Sequence, residues 1–196
     1  ALAVAITFAF PARVRAADPV RILALGDSLT AGYGLPREQS FPVRLQAALV
    51  KDGVDAIVYN AGVSGDTSAG GLSRLDWALA MAGPHHIDAV IVELGANDGL
   101  IGRLQGKKLA VLLAGMKAPP NLGPEYGAEF TAIYSELAKK YEIAFYPFFL
   151  DGVATVPQLN QRDTIHPNSR GVEVVIRGIL PYIKNMLDEI DRETGQ

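Results

Sequence analysis

The strongest constraint on the fold is a repeated alternation of short apolar runs with longer segments of helical periodicity. The runs stay largely apolar along their length, which is typical of parallel strands covered on both faces. The longer segments carry apolar residues three or four positions apart, which predicts amphipathic helices. The sequence therefore predicts a three-layer α/β/α architecture with a parallel sheet in the middle. The predicted strands are Val20–Leu25, Asp55–Asn60, Ala89–Leu94, Leu109–Ala114 and Ile143–Pro147.

The segments between these strands predict helices, but one connection is short. Only Leu100–Lys108 remains for the crossover between the third and fourth strands, whereas a parallel crossover usually takes about a dozen residues or more. We expect a short helix or a bare loop there, unless the fourth strand begins later. The predicted helices are Phe41–Asp52, Ser68–Ala82, Tyr126–Tyr141 and Gly171–Ile190, with a loop at Pro119–Pro124. The third of them is expected to bury a face formed by Phe130, Ile133, Tyr134, Leu137 and Tyr141.

Length and composition limit what the chain can be. With 196 residues and no internal repeat, it is expected to form one domain. It has no cysteine, which excludes a disulfide framework, a thiolate metal site and a cysteine nucleophile. The net charge of −3 argues against a nucleic-acid-binding protein, because such proteins neutralise phosphates with clustered Lys and Arg. No apolar stretch reaches the length of about 18 residues that marks a membrane span, so stable membrane insertion is not expected.

The first residues are similar to part of a secretory signal peptide. Ala1–Phe10 is an apolar run, Pro11 interrupts it, and small residues follow up to Ala17. This order matches the hydrophobic region and cleavage site of such a signal. We expect cleavage after Ala16, with residues 1–16 a signal-peptide remnant and residues 17–196 a single domain of a periplasmic or secreted protein. The alternative is an uncleaved hydrophobic anchor, which is less favoured because so short a run cannot span a bilayer.

Polar and glycine-rich clusters follow four of the predicted strands. The carboxyl ends of parallel strands meet at one edge of the sheet, and open α/β sheets bind their ligands there. We therefore expect the four clusters to converge. They are Gly26–Leu29 (GDSL), Gly62–Asp66 (GVSGD), Gly95–Asp98 (GAND) and Asp163–Pro167 (DTIHP).

These clusters contain the parts of an acyl-transfer site. Ser28 is a hydroxyl in a strand-to-helix turn, and it needs a base within hydrogen-bond distance to act as a nucleophile. His166 can be that base because an imidazole titrates near neutral pH. Asp163, three residues earlier, can accept from the imidazole Nδ1–H and orient the ring. Negative charge on a substrate oxygen can then be held by the N–H groups of Ser28 and Gly65 and by the Asn97 amide.

Each cluster also has a purely structural interpretation. A Gly-Asp-Ser sequence is a common turn, and Gly62 and Gly65 can form a tight turn into a helix that Asp66 caps. Asn97 can likewise cap the segment that follows it, and Asp163–His166 can be a capped helix start. The joint occurrence of all four clusters, in this order and after these strands, favours the catalytic interpretation.

Together these residues resemble the SGNH (GDSL-type) hydrolases. The longer matches Ala61–Thr67, Glu93–Asp98 and Ile165–Asn168 are similar to the family's branch of bacterial periplasmic arylesterases and multifunctional thioesterase/lysophospholipases. The resemblance covers nearly all of Val20–Leu187, and it implies a flavodoxin-like five-stranded sheet of order 2-1-3-4-5 with no cofactor or metal. By motif block it assigns Ser28 as the nucleophile, Gly65 and Asn97 as oxyanion donors, and Asp163 and His166 as the remaining triad members.

The chain departs from this family at Leu100–Lys108. Relatives have a longer loop and helix there, and that loop helps to form the acyl-binding wall, so the resemblance leaves the acyl-chain length open. The candidates for contacting substrate are apolar residues near the predicted edge and the loop after the fourth strand, which can equally be only a rigid proline-rich connection. They are Leu100, Ile101, Pro119, Asn121 and Tyr126.

Other candidate sites are weaker. Ser40 and Ser64 are alternative nucleophiles, but no base and acid cluster with either. His85 and His86 have no partner at metal-ligand spacing, so a loop is the favoured interpretation. The glycines form neither G-x-G-x-x-G nor G-K-[ST], so a phosphate site is not indicated. Glu93 lies within an apolar strand, where a carboxyl group has to be paired or neutral, and we interpret it as a structural hydrogen-bonding group.

The leading hypothesis is a serine esterase acting on a small-molecule ester or thioester, with aryl and short-acyl esters favoured and lysophospholipids as further candidates. An alternative keeps the triad but removes acetyl groups from a polysaccharide or peptidoglycan. Such a site needs aromatic residues for sugar stacking, and only Tyr33 and Tyr126 are expected near the edge. A third hypothesis is a non-catalytic periplasmic binding module, since fold does not dictate function. The oligomeric state is left unpredicted.

Overall fold

The computed structural model describes residues 18–194, and a parallel five-stranded sheet lies at its centre. The strands are β1 (Val20–Gly26), β2 (Ala56–Gly62), β3 (Ala89–Glu93), β4 (Ala110–Ala114) and β5 (Ala144–Tyr146). Their order is β2-β1-β3-β4-β5, which confirms the predicted fold class and strand order. The predicted signal-peptide remnant, residues 1–16, lies outside the described residues.

Helices cover both faces of this sheet. They are α1 (Ser28–Ala31), α2 (Phe41–Lys51), α3 (Ser68–Ser73), α4 (Leu75–Leu79), α5 (Asp98–Gly106), α6 (Pro124–Lys140) and α7 (Ser169–Thr194). One face of the sheet packs against α2 and α7, and the other packs against α4, α5 and α6. Successive residues of a strand point to opposite faces, so Ile22 enters one half of the core and Leu23 the other. This explains why the strands are largely apolar on both faces.

Helix α2 illustrates how local sequence builds one of these layers. Phe41, Leu45 and Leu49 lie four positions apart and are fully buried, as the periodicity predicts. Burying each of these side chains contributes about 1.5–3 kcal/mol. Packing of this face, rather than helix propensity, therefore holds α2 against the sheet.

The segment predicted as one helix over Ser68–Ala82 is broken. It forms α3, then α4, then a 3₁₀ turn at Ala80–Ala82, and the break lies at Arg74, with φ of −100° and ψ of 6°. The two glycines and two serines of α3 give it a low helix propensity. Contacts outside the helix therefore decide where it ends, and Arg74 makes such contacts with Asp66.

Helix α5 makes the short crossover, which was one of the expected alternatives, and β4 begins one residue later than predicted. The Asn97 side chain caps α5 by accepting from the Leu100 N–H at 2.9 Å. In α6 the prediction was wrong for Ile133, which is 51% exposed, because the buried stripe runs through Tyr134, Leu137 and Ala138. Among the described residues, no helix is long and apolar enough to cross a membrane.

Candidate active site

Strand register brings three of the predicted clusters to one edge of the sheet. Gly26 at the end of β1 lies beside Gly62 of β2 and beside Glu93 of β3. The predicted site residues that come after these strands follow the strand ends closely: Ser28, Gly65 and Asn97 lie two, three and four residues beyond Gly26, Gly62 and Glu93. The apolar pattern that fixes the register therefore also fixes where the polar clusters meet.

The Ser28 turn is held tightly between β1 and the short helix α1. Asp27 caps this helix, since its Oδ1 accepts from the Leu29 N–H at 2.8 Å. Gly26 is required by space: a Cβ there would lie 2.1 Å from Thr30 Oγ1 and 2.6 Å from Glu93 Oε2. The hydroxyl-bearing residue thus sits on a turn whose backbone has little freedom to move.

Glu93 stabilises this turn through hydrogen bonds, which agrees with its interpretation from the sequence as a structural hydrogen-bonding group. It is 1% exposed, and its Oε2 accepts from Thr30 Oγ1 at 2.8 Å and from the Asp27 N–H at 3.3 Å. Burial raises the pKa of Glu93 well above its ordinary value, and the negative charge of Asp27 raises it further. The neutral acid is therefore favoured, and it binds the residues on both sides of Ser28.

Asp163 and His166 lie in a loop after β5 that closes on itself. An isolated bridge pairs Asn160 with Pro167, and the Gln161 N–H donates to the His166 carbonyl at 2.8 Å. Thr164 adopts a φ of +63°, a left-handed conformation that is uncommon outside glycine. The loop is short enough that the side chains of Asp163 and His166 meet.

Asp163 both shapes this loop and orients the imidazole. Its Oδ1 accepts from the backbone N–H groups of Ile165 and His166, each at 3.0 Å, and its Oδ2 lies 2.7 Å from His166 Nδ1. The backbone N–H of His166, then that of Ile165, and then the His166 side chain lower the pKa of Asp163 to about 2. The carboxylate is therefore ionised over the whole neutral range.

The other imidazole nitrogen faces the Ser28 hydroxyl. His166 Nε2 lies 2.9 Å from Ser28 Oγ, across 138 positions of sequence. The ring of Tyr33 lies against the imidazole with ring centroids 4.7 Å apart, and the Tyr33 carbonyl accepts from Gln161 Nε2 at 2.7 Å. A hydroxyl, an imidazole and a carboxylate thus form one continuous hydrogen-bonded line, an arrangement in which the hydroxyl can lose its proton to the ring.

Gly65 lies in a β-turn directly after β2. The Asp66 N–H donates to the Val63 carbonyl at 3.0 Å, and Gly65 has a φ of +80°, which is typical of the third residue of a type II turn. A Cβ at Gly65 would have no neighbour within 4 Å. The backbone angle, rather than a lack of space for a side chain, therefore explains this glycine.

The amide of Asn97 is oriented by its role as a helix cap. Its Oδ1 is fixed by the Leu100 N–H, which leaves Nδ2 directed toward Ser68 Oγ at 3.4 Å. A cap of α5 therefore presents a side-chain N–H₂ group at the same edge as Ser28. The capping interpretation and the oxyanion-donor interpretation of Asn97 are compatible.

The rival candidates are placed differently. Ser40 is buried, and its hydroxyl donates to the Arg37 carbonyl at 2.7 Å, while Ser64 lies exposed in the type II turn. His86 is largely exposed, and its Nε2 lies 2.6 Å from Asp88 Oδ1, an acidic partner that sequence analysis missed. Within residues 18–194, no three metal-ligating side chains come together.

Two of the predicted substrate contacts need correction. Leu100 and Ile101 have no exposed surface, because α5 directs them into the core beneath the sheet edge. They therefore present no surface to a ligand in this structure. Pro119, Asn121 and Tyr126 are exposed, and Tyr126 stacks on Phe130 with ring centroids 6.1 Å apart.

Sequence analysis missed three residues that organise the site. Thr30 binds Glu93. Gln161 binds the Tyr33 carbonyl. Arg74 binds Asp66 beside the Gly65 turn. Arg74 occurs in a predicted amphipathic helix, where an arginine is expected to face solvent. The available signal was the pair Gly70-Gly71, three to four residues earlier, since a Gly-Gly dipeptide marks a turn or loop and argues against one continuous helix.

Comparison with known proteins identifies the family of this chain. Residues 24–174 match the family described as GDSL-like Lipase/Acylhydrolase. The chain is 39% identical over 183 residues to the Esterase TesA of Pseudomonas aeruginosa, covering 85% of this chain and 89% of that protein. It is 40% identical over 171 residues to the Thioesterase 1/protease 1/lysophospholipase L1 of Escherichia coli K12, covering 79% and 78% of the two chains.

The solved structures lead to the same family. A crystal structure of TesA is similar with a TM-score of 0.78 and 34% identity, over 85% of this chain and 99% of that one. A match over residues 24–174 includes every one of the four motif clusters. The chain therefore belongs to the GDSL-like lipase/acylhydrolase family and is a carboxylic-ester hydrolase.

Proposed function

We propose that the chain is a serine esterase in which Ser28 is the nucleophile, His166 the general base and Asp163 the residue that orients the base. The observation that carries this proposal is the line of contacts from Asp163 Oδ2 to His166 Nδ1, at 2.7 Å, and from His166 Nε2 to Ser28 Oγ, at 2.9 Å. The lowered pKa of Asp163 gives further support, because an ionised carboxylate stabilises the imidazolium that forms during the reaction.

The proposed reaction has two stages. Ser28 Oγ attacks the ester carbonyl carbon while its proton passes to His166 Nε2, and the resulting oxyanion accepts hydrogen bonds from the N–H groups of Ser28 and Gly65 and from Asn97 Nδ2. The imidazolium then protonates the leaving alcohol or thiol, which leaves the acyl group on Ser28. Water, deprotonated by His166, attacks this acyl-enzyme, and protonation of Ser28 releases the carboxylic acid.

For substrates we propose aryl and short-acyl esters, with thioesters and lysophospholipids as further candidates. The names of the relatives from P. aeruginosa and E. coli support this range. Pro119, Asn121 and Tyr126 are proposed to contact substrate, since all three are exposed after β4 on the carboxyl side of the sheet. Tyr126→Ala is therefore expected to change the ratio of acetate to hexanoate ester hydrolysis while the overall fold is retained.

The alternative, removal of acetyl groups from a polysaccharide or peptidoglycan, rests on one observation. Tyr33 is 54% exposed and lies against His166, so it could stack on a sugar ring. Comparing p-nitrophenyl butyrate, an acyl-CoA, a lysophospholipid and acetylated xylan separates the two substrate classes. A periplasmic location is likewise proposed from the signal-like residues 1–16, and fractionation of a producing cell tests it.

The central experiment replaces the nucleophile. Ser28→Ala is expected to lower kcat on p-nitrophenyl butyrate by about 10⁴-fold or more, since triad members act as a unit. Ser64→Ala, which removes an exposed hydroxyl from the neighbouring turn, is the matched control and is expected to keep wild-type activity. A fluorophosphonate probe should label the wild type at Ser28. Retained turnover in Ser28→Ala, or absence of labelling, contradicts the proposal, and the second result favours a non-catalytic binding module.

The pH dependence of the rate gives a second test. A protonated imidazole cannot accept the Ser28 proton, so kcat/KM is expected to fall at acid pH. A rate that is constant between about pH 5 and pH 9 contradicts a histidine base.

A further inference from the structure

Arg74 is bound at the junction of α3 and α4 through a largely shielded ion pair. Its Nε and Nη2 both lie 2.7 Å from Asp66 Oδ2, and the side chains of Arg74 and Asp66 are only 17% and 10% exposed. Exposed pairs of this kind are worth little because water competes for both groups. The shielding of this pair, and the convergence of two guanidinium N–H groups on one carboxylate oxygen, give it a more fixed position than a surface ion pair has.

The same guanidinium also binds the end of β1. Arg74 Nη2 donates to the Gly26 carbonyl at 3.2 Å, and that carbonyl also accepts from the Val63 N–H at 3.0 Å. Gly26 precedes Ser28 by two residues, and Asp66 directly follows Gly65. One side chain therefore connects the turn that carries the nucleophile with the turn that carries a proposed oxyanion donor.

The approach of α3 to this pair depends on its glycines. A Cβ at Gly70 would lie 2.0 Å from Asp66 Oδ1, and one at Gly71 would lie 2.5 Å from Leu94 Cδ1. Asp66 Oδ1 accepts from the Thr67 N–H at 2.9 Å. Both carboxylate oxygens of Asp66 are thus held, one by the start of α3 and the other by Arg74.

We infer that Arg74 is a positioning residue that, through Asp66 and the Gly26 carbonyl, sets the distance between the Gly65 N–H and the Ser28 Oγ. The inference rests on the proposed function, because it needs Gly65 to be an oxyanion donor. Arg74 touches no reacting atom in this account. Its effect is on the transition state, since a donor displaced by a fraction of an ångström loses its hydrogen bond to the oxyanion and leaves ground-state binding unchanged.

The experiment compares Arg74→Met with Arg103→Met. Arg103 forms an exposed ion pair with Asp76 on a neighbouring helix, so it is a matched control for loss of an Arg–Asp pair, and it is expected to behave as wild type. Arg74→Met is expected to lower kcat on p-nitrophenyl butyrate by about 100-fold, the cost of misplacing a reacting group by about 1 Å, with KM nearly unchanged. The affinity for phenylboronic acid, which forms a tetrahedral adduct on an activated serine, should fall by the same factor as kcat/KM.

Arg74→Lys tests the two-sided contact. An ammonium group lacks the fork that reaches Asp66 and Gly26 together, so this variant should lie closer to Arg74→Met than to the wild type. If Arg74→Met does not fold, Asp66→Asn, which keeps an oxygen for the Thr67 N–H, should show the same loss of kcat at constant KM.

The inference is overturned if Arg74→Met melts at a lower temperature but keeps wild-type kcat and boronic-acid affinity below its melting point. That result would assign Arg74 a purely structural role. Failure of this inference is distinguishable from failure of the proposed function. If only the inference fails, Ser28→Ala is still inactive, whereas if the proposed function fails, Ser28→Ala keeps its activity.

Discussion

Two carboxyl groups support the Ser28 turn and the His166 imidazole, respectively, and their surroundings shift their pKa values in opposite directions. Glu93, which accepts hydrogen bonds from Asp27 and Thr30, is 1% exposed, and burial raises its pKa. Asp163, in the loop after β5, accepts hydrogen bonds from two backbone N–H groups and from the imidazole, and these contacts lower its pKa to about 2. The same functional group is therefore shifted toward its neutral form at Glu93 and toward its ionised form at Asp163.

This difference separates their roles. An ionised carboxylate next to an imidazole can stabilise the positive charge that the ring acquires, whereas a neutral acid cannot. A neutral acid, in contrast, can remain in an apolar core and fix neighbouring donors without adding charge beneath the nucleophile. Environment rather than residue type decides which of the two takes part in the proposed reaction and which one holds the turn in place.

The largest expected effect on the reaction rate comes from replacing Asp163. Asp163→Asn should lower kcat by about 10³–10⁴-fold, because the amide nitrogen can donate to Nδ1 and so favour the wrong imidazole tautomer. The side-chain oxygen of Asn can still accept from the Ile165 N–H, so the loop should keep its shape. Initial rates with p-nitrophenyl butyrate and the rate of fluorophosphonate labelling measure the effect.

A matched control is Asp188→Asn, which neutralises an exposed aspartate on α7 and should leave the rate unchanged. An Asp163→Asn rate within tenfold of the wild type would mean that the carboxylate does not orient the base. Glu93 and Asp163 would then not differ in their chemical roles as proposed.

Glu93 should tolerate replacement by a neutral residue of the same shape. Glu93→Gln keeps an oxygen for Thr30 Oγ1 and the Asp27 N–H, and its amide nitrogen can donate to the Asp27 side chain, whose hydrogen bond with the neutral acid helps to raise the Glu93 pKa. Glu93→Leu removes the acceptor, which costs about 1–3 kcal/mol for each donor left without a partner. Urea unfolding at neutral pH and kcat measured on both variants check this, with Gln expected close to wild type and Leu impaired in both. Equal damage in the two variants would show that the charge of Glu93 matters.

How much of this arrangement the sequence predicts depends on the range of the interactions. The strands and their order follow from apolar patterning, which is local, and the convergence of Ser28, Asp163 and His166 follows from motifs placed at strand ends. Leu100 was misassigned because closeness to Asn97 in sequence says nothing about which side of α5 faces the core.

Contacts between distant segments were harder to predict. Arg74 has a partner outside its own helix, and the break between α3 and α4 that frees it depends on tertiary packing. The protonation preference of Glu93 likewise depends on how completely α1 and the strand ends enclose it. A buried carboxyl group was predictable from the apolar strand, but the identity of its partners was not.

The smallest expected effect is on the pH dependence of stability, and it distinguishes the two carboxyl groups by sign. Glu93 has a folded-state pKa above its ordinary 4.5, so its contribution to stability is complete below about pH 4.5 and is lost as the pH rises through the folded-state pKa. One proton changes the free energy of unfolding by at most about 1.4 kcal/mol per pH unit. Glu93→Gln should therefore gain stability relative to the wild type as the pH increases.

Asp163 should behave in the opposite way. Its pKa is lowered from 3.8 to about 2, so its contribution is complete above about pH 4 and is lost as the pH falls toward 2. Relative to the wild type, Asp163→Asn should lose stability between pH 2 and pH 4 as the pH rises, with no further change above that window. Urea midpoints of the wild type and both variants, measured in steps from acid to mildly basic pH, test both slopes on one set of curves. Slopes of the same sign would mean that the two pKa values are not shifted in opposite directions, because only a raised and a lowered folded-state pKa give opposite linkage to protons.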